Sequence, residues 1–188
     1  VKTEYLNCQE SICWMTRYPI ENVDYNLRHK CHKFNFKPNI KVQHRTNSFL
    51  ETLKQPIESH IGIHVRRGDI SYRPNINQHN INRMRPTYEY FDAIDKLGLK
   101  PPFFLCTECN LVHREFCDKF GTNNISRYGT SGYRLDHKED IIDSLVDLLL
   151  LSKTKLIIGS HSAFSAASLL FTDAPFYMVH PDGLKVNL

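Results

Sequence analysis

Long apolar runs are missing from this sequence of 188 residues. None reaches the roughly 18 residues that a membrane-spanning helix needs. The opening stretch VKTEYLNCQESICWM lacks the apolar centre of a signal peptide. The chain begins with Val rather than Met, which leaves room for an upstream anchor, signal or domain. Cysteine is present but poorly patterned for metal. Among Cys8, Cys13, Cys31, Cys106, Cys109 and Cys117 there is one C-x-x-C pair, Cys106 to Cys109, and no second pair to complete a zinc site. The cysteines read instead as small core residues, with one disulfide near the N-terminus. There is no D-x-D metal motif, no zinc-finger or RNP-like pattern, no repeat and no low-complexity segment. A G-x-S-x-G nucleophile elbow is also lacking, which argues against a serine hydrolase.

What is present suits a globular chain with a sizeable core, since 41% of residues are hydrophobic and 23% charged. Net charge is +4, so anionic partners are favoured only mildly. The distribution is more telling than the total. Between Arg66 and Arg85 stand Arg66, Arg67, Arg73, Arg83 and Arg85, against the single acid Asp69. Elsewhere bases and acids are interspersed. That pattern predicts a local anion site of phosphate size and no nucleic-acid groove.

From residue 60 onward, short apolar runs alternate with helical periodicity. IGIHV, PFFLCT, NNISRYG, KLIIGS and PFYMVH read as five strands. PTYEYFDAIDKLGL, with Pro86 at its first turn, LVHREFCDKF, KEDIIDSLVDLLLLSKT and SAFSAASLLF read as the helices between them. Such alternation with short connections predicts an α/β fold, a Rossmann-like parallel sheet flanked by helices. Residues 56–188 form this expected domain. Residues 1–55 form a short N-terminal segment, with NFKPNIKV extended and NSFLETLKQPIES helical. Ligands of such sheets bind beyond the carboxyl ends of the strands.

Three constellations fall at those ends. In HVRRGD, His64 and Arg66 share one face of an extended chain, while Arg67 falls on the other or turns with the loop. An arginine there holds a phosphate bidentately and stays charged at any physiological pH. A solvated basic loop with one internal ion pair is the plainer alternative. In the long helix, Asp140, Asp143 and Asp147 share a face. The first two suit the helix N-terminus, but Asp147 sits in the run Leu145 to Leu151 and needs a partner. It is either a rim residue or an acceptor for the base or ribose of a nucleotide. In IIGSHSAFSAAS, Ser160, Ser162 and Ser165 enter a helix after a buried strand. They serve as an anion cradle or as ordinary N-caps. His161 beside them reads as a structural or exposed histidine rather than a base.

The motifs IHVRRGD, PTYEYFDAI, FFLCTE and DLLLLSKTKLIIGSHSAFSAASLL, with FNFKP at 34–38, resemble those of the fucosyltransferases that use GDP-fucose. The resemblance spans about residues 34 to 172 and is nearest to the alpha-1,2 enzymes, more distant to the alpha-1,6 and protein O-fucosyltransferases. Their first motif is H-x-R-R-x-D, and the later one runs D-L-x-L-(L/M)-S to I-x-x-S-(S/T)-F-S. The resemblance implies a glycosyltransferase B fold, with no required metal or cofactor, GDP-fucose as donor and a glycan as acceptor. It implies that Arg66 and Arg67 bind the diphosphate, that His64 and Asp147 contact the nucleoside, and that Ser160, Ser162 or Ser165 meets a phosphate. Asp69 is then the candidate base. The chain departs from the family where Ala166-Ala167 replace two tryptophans, and where Cys106-Thr107-Glu108 replace S/T-D-D. Its N-terminal part is also short for a second lobe. These departures leave room for another nucleotide-activated sugar, or for a non-catalytic nucleotide-sugar or glycan-binding module.

Overall fold

Strands that are apolar on both sides need cover on both sides, and the chain supplies it with helices. A computed structural model describes residues 38–67, 84–129 and 138–187. Its elements run α1 (Ile40–Thr52), a 3-10 turn (Ile57–Ser59), β1 (Ile61–His64), α2 (Thr87–Lys96), β2 (Phe103–Cys106) and α3 (Asn110–Phe120). A second 3-10 turn (Thr122–Asn124), β3 (Ile125–Ser126), α4 (Lys138–Ser152), β4 (Leu156–Ser160), α5 (Ala163–Ser168), β5 (Phe176–His180) and β6 (Gly183–Asn187) follow. The six strands form one sheet in the order β3-β2-β1-β4-β5-β6. Strands β1 to β5 are parallel and β6 runs antiparallel to β5. Among the described residues no helix is long and apolar enough to cross a membrane.

The Rossmann-like sheet read from the sequence is thus present, with all five expected strands in place. The sixth strand was not foreseen. Its signal is the Pro181-Asp182-Gly183 turn, where Gly183 takes φ 106° and closes a two-residue hairpin onto β5.

Each sheet face has its own core. Ile61, Ile63 and Val65 pack with Tyr90 and Ile94 of α2 and Val112 and Phe116 of α3. On the opposite face Phe104, Ile157 and Met178 meet Val42 of α1 and Val146 and Leu150 of α4. Helix α1 corrects one expectation. Residues 40–42 are helical rather than extended, because Asn39 caps the helix by accepting from Val42 N at 3.0 Å. Val42, Thr46, Phe49 and Leu50 then fall at helical spacing, and all but Thr46 join the core against α4 and the sheet. The helix ends at Thr52, and the expected continuation to Ser59 is a separate 3-10 turn. The N-terminal segment through residue 37, with Cys8, Cys13 and Cys31, lies outside the described residues, as does Asp69.

Sheet and helix layer approach closely at Gly62 in β1. A Cβ there would lie 2.5 Å from Thr154 Oγ1 and 2.7 Å from Leu151 Cδ1, at the end of α4. Thr154 has little freedom to yield, since its hydroxyl donates to Leu151 O at 2.7 Å. Gly62→Ala is therefore expected to destabilise the chain by about 1–3 kcal/mol, read as a lower urea midpoint at unchanged slope. An unchanged midpoint would mean that α4 can lift away from β1 without loss.

Candidate functional site

Strand order reverses about β1 and β4. The chain leaving β1 reaches α2 on one face, and the chain leaving β4 enters α5 on the other. In open α/β sheets this divergence opens a crevice beyond the strand ends. His64 closes β1 and is the register partner of Gly159 in β4. Because Gly159 has no Cβ, α5 can press against the strand. A Cβ would lie 2.8 Å from both Cβ and Oγ of Ser165. That approach brings Ser165 Oγ to 2.5 Å from His64 Nδ1, and Ser160 Oγ stands 3.1 Å from the same nitrogen. Phe164 covers the imidazole with ring centroids 4.8 Å apart. Burial, and then the Arg66 charge, lowers the His64 pKa from 6.5 to about 3, so the ring is neutral at physiological pH.

Arg66 leans to the same side as His64, as strand alternation predicts. Its Nη1 donates to Ser162 Oγ at 3.4 Å. Ser162 is also the N-cap of α5 and accepts from Phe164 N at 3.2 Å. With only six residues, α5 offers capping more than a macrodipole. Ser160, Ser162 and Ser165 are each fully buried. As placed, they support His64 and Arg66 and do not face solvent.

Arg67 takes the opposite side. Its Nη2 donates to Thr87 Oγ1 at the start of α2 and its Nη1 to Arg66 O, both at 3.2 Å, while its main-chain N donates to Glu108 Oε1 at 2.6 Å. Arg85 is paired with Glu89 on α2 through Nε at 2.7 Å and through Nη2. The expected cluster of five arginines is therefore divided: Arg66 turns to α5, Arg67 and Arg85 turn to α2, and Arg73 and Arg83 lie outside the described residues.

Asp147 is 1% exposed on α4, so it is buried and open to neither solvent nor a ligand as it stands. It neighbours Cys106, the register partner of His64 on the β2 side. Burial first, then the Asp147 and Glu108 charges, push the Cys106 thiol well above its usual range. Asp143 accepts from Arg45 at 2.5 Å and from the Tyr128 hydroxyl at 2.8 Å, so it ties α4 to α1 and to the end of β3.

Three residues at this end escaped the sequence reading. In the sequence Glu108 stands out only as a departure from a motif. Arg127, directly after β3, is braced on Thr107 O at 3.1 Å and Asn110 Oδ1 at 2.8 Å. Tyr90 read as a core residue of α2, yet its phenol lies by Ser160 and Arg67, which oppose the rise in pKa that burial causes. The available signal for Glu108 and Arg127 was position: each lies within two residues of a strand's carboxyl end.

No family model and no curated protein matches the chain. Among solved structures it is similar to the apo form of POFUT1 (crystal form I), with TM-score 0.42 and 12% identity. The likeness covers 72% of this chain and 44% of that one, so this chain spans less than half the length of that structure.

A neutral His64 sets a pH dependence. Its pKa is lower folded than unfolded, so the unfolded chain takes up the proton first as pH falls. The stabilisation is complete above pH 6.5 and is lost toward pH 3, at up to about 1.4 kcal/mol per pH unit. His64→Gln is expected to flatten the fall of the urea midpoint between about pH 6 and pH 4. A slope identical to that of the unaltered chain would mean that His64 is protonated while folded.

Proposed function

We propose that this chain is the nucleotide-sugar-binding part of a glycosyltransferase that moves L-fucose from GDP-fucose to a glycan hydroxyl with inversion. The observation that carries the reading is the setting of Arg66. Its guanidinium lies beyond the carboxyl ends of β1 and β4, within reach of Ser162 and beside a histidine that brings no competing charge. The match of His64 to Asp69 with H-x-R-R-x-D supports the choice of a GDP-sugar over other phosphate ligands.

In this reaction the acceptor hydroxyl oxygen attacks the anomeric carbon as the bond from that carbon to the β-phosphate oxygen breaks. The electron pair remains on the phosphate oxygen, and the acceptor proton passes to a base, for which Asp69 is the candidate. Negative charge grows on the diphosphate as the bond breaks. A guanidinium fixed there favours the transition state more than the ground state, and arginine does not lose its proton in the process. His64 and Asp147 are the candidate nucleoside contacts. Both are buried, 5% and 1% exposed, so contact with a nucleoside requires the groups that cover them to move, Phe164 over His64 among them. In this reading the chain supplies one lobe of a glycosyltransferase B arrangement.

Calorimetric titration with GDP, UDP and GDP-fucose, followed by donor turnover, tests the reading. GDP is expected to bind at micromolar concentration and UDP not at all. Arg66→Ala is expected to weaken GDP binding by ~10²-fold and to lower turnover by ~10²–10³-fold. Equal binding of UDP, or an unaffected Arg66→Ala variant, would overturn the reading. Binding without turnover in the presence of glycan acceptors would leave a nucleotide-sugar-binding module in its place.

A further inference from the structure

We propose that Glu108 is a positioning residue, which sets the direction of Arg66 by holding the main chain of Arg67; this rests on the reading of Arg66 as the diphosphate ligand. The register of the β1–β2 ladder pairs His64 with Cys106. The ladder runs one residue past the strands, with Val65 N donating to Cys106 O at 3.0 Å. In a parallel pair, N–H groups two residues apart on one strand point to the same neighbour. The next N–H directed at the β2 side is therefore that of Arg67. There the Glu108 carboxylate takes it, at 2.6 Å. The bond is charge-assisted and correspondingly strong. A side chain thus continues the ladder where the loop after β1 begins.

The Arg67 side chain supplies a second tie. Its guanidinium spans from Thr87 Oγ1 to the carbonyl of Arg66, each at 3.2 Å. With Arg67 N and Arg66 O both held, the alternation along the chain leaves the Arg66 side chain on the His64 side, where it meets Ser162. The adjacent arginines thereby divide the work: Arg67 fastens the loop to β2 and α2, and Arg66 faces the ligand.

A carboxylate this close to an anion site should by charge alone weaken anion binding. That opposition gives the test its sign. If Glu108 were a bystander, Glu108→Gln and Glu108→Ala would both tighten binding of GDP or inorganic pyrophosphate. As a positioning residue, Glu108→Gln keeps an acceptor oxygen and binds at least as well as the unaltered chain. Glu108→Ala instead binds about tenfold more weakly. In an Arg66→Ala background, measured with pyrophosphate at low salt, Glu108→Ala should cost nothing further. Thr87→Val, close in shape, loosens the other tie and is expected to weaken binding about threefold.

Hydrogen exchange at the Arg67 amide, measured without nucleotide, checks the tie itself. Protection should persist in Glu108→Gln and fall about tenfold or more in Glu108→Ala. Unchanged protection in Glu108→Ala, tighter binding by that variant, or an equal loss in the Arg66→Ala background would each overturn the proposal. If the unaltered chain binds neither GDP nor pyrophosphate, the diphosphate reading fails. Intact binding with unchanged Arg67 protection in Glu108→Ala would remove only the role of Glu108.

Discussion

At Gly159 helix α5 lies so near strand β4 that a Cβ would stand 2.8 Å from Ser165 Cβ, and the arrangement of the site follows from that contact. The missing side chain lets Ser165 reach His64 across the strand pair, and it sets Ser162 at the helix cap within reach of Arg66. A side chain at Gly159 would push the helix outward and separate both serines from the residues they support. The three buried hydroxyls are thus as much part of the packing as of the polar network. Buried polar groups need partners, and here His64, Arg66 and the cap supply them.

Charge at the site is economical. One guanidinium faces α5, while its neighbour Arg67 and the more distant Arg85 are occupied on α2. The histidine beside Arg66 is neutral because it is buried and because a protonated ring would be repelled by the guanidinium. The result is a partly buried positive group beside a neutral, buried ring. On the β2 side the carboxylates of Asp147 and Glu108 border the Cys106 thiol, with the Arg127 guanidinium beside them.

Much of the architecture was legible in the sequence because it depends on local periodicity. Strands such as Phe103–Cys106 and Leu156–Ser160 are short, apolar and bounded by breakers, and α4 carries an apolar pattern over several turns. The start of α1 was misread because a single Asn39 cap outweighs the extended look of the residues that follow it. Strand β6 was missed because its turn signal is shorter than its pattern. The site was legible only as far as alternation carries: His64 and Arg66 on one side, Arg67 on the other.

By itself, the order of apolar and polar residues determined a parallel sheet between helices and placed the basic motif at a strand's carboxyl end. Periods of about two and 3.6 residues allow few other ways to bury those side chains. Tertiary structure alone decided the partners that lie far apart in the sequence. Arg66 met Ser162, Arg67 met Thr87 and Glu108, and Asp147 came to neighbour Cys106 across separations of 20 to 96 residues wherever a hydrogen-bond distance defines the pair. Such pairings arise from how the layers stack, which no local pattern of residues encodes.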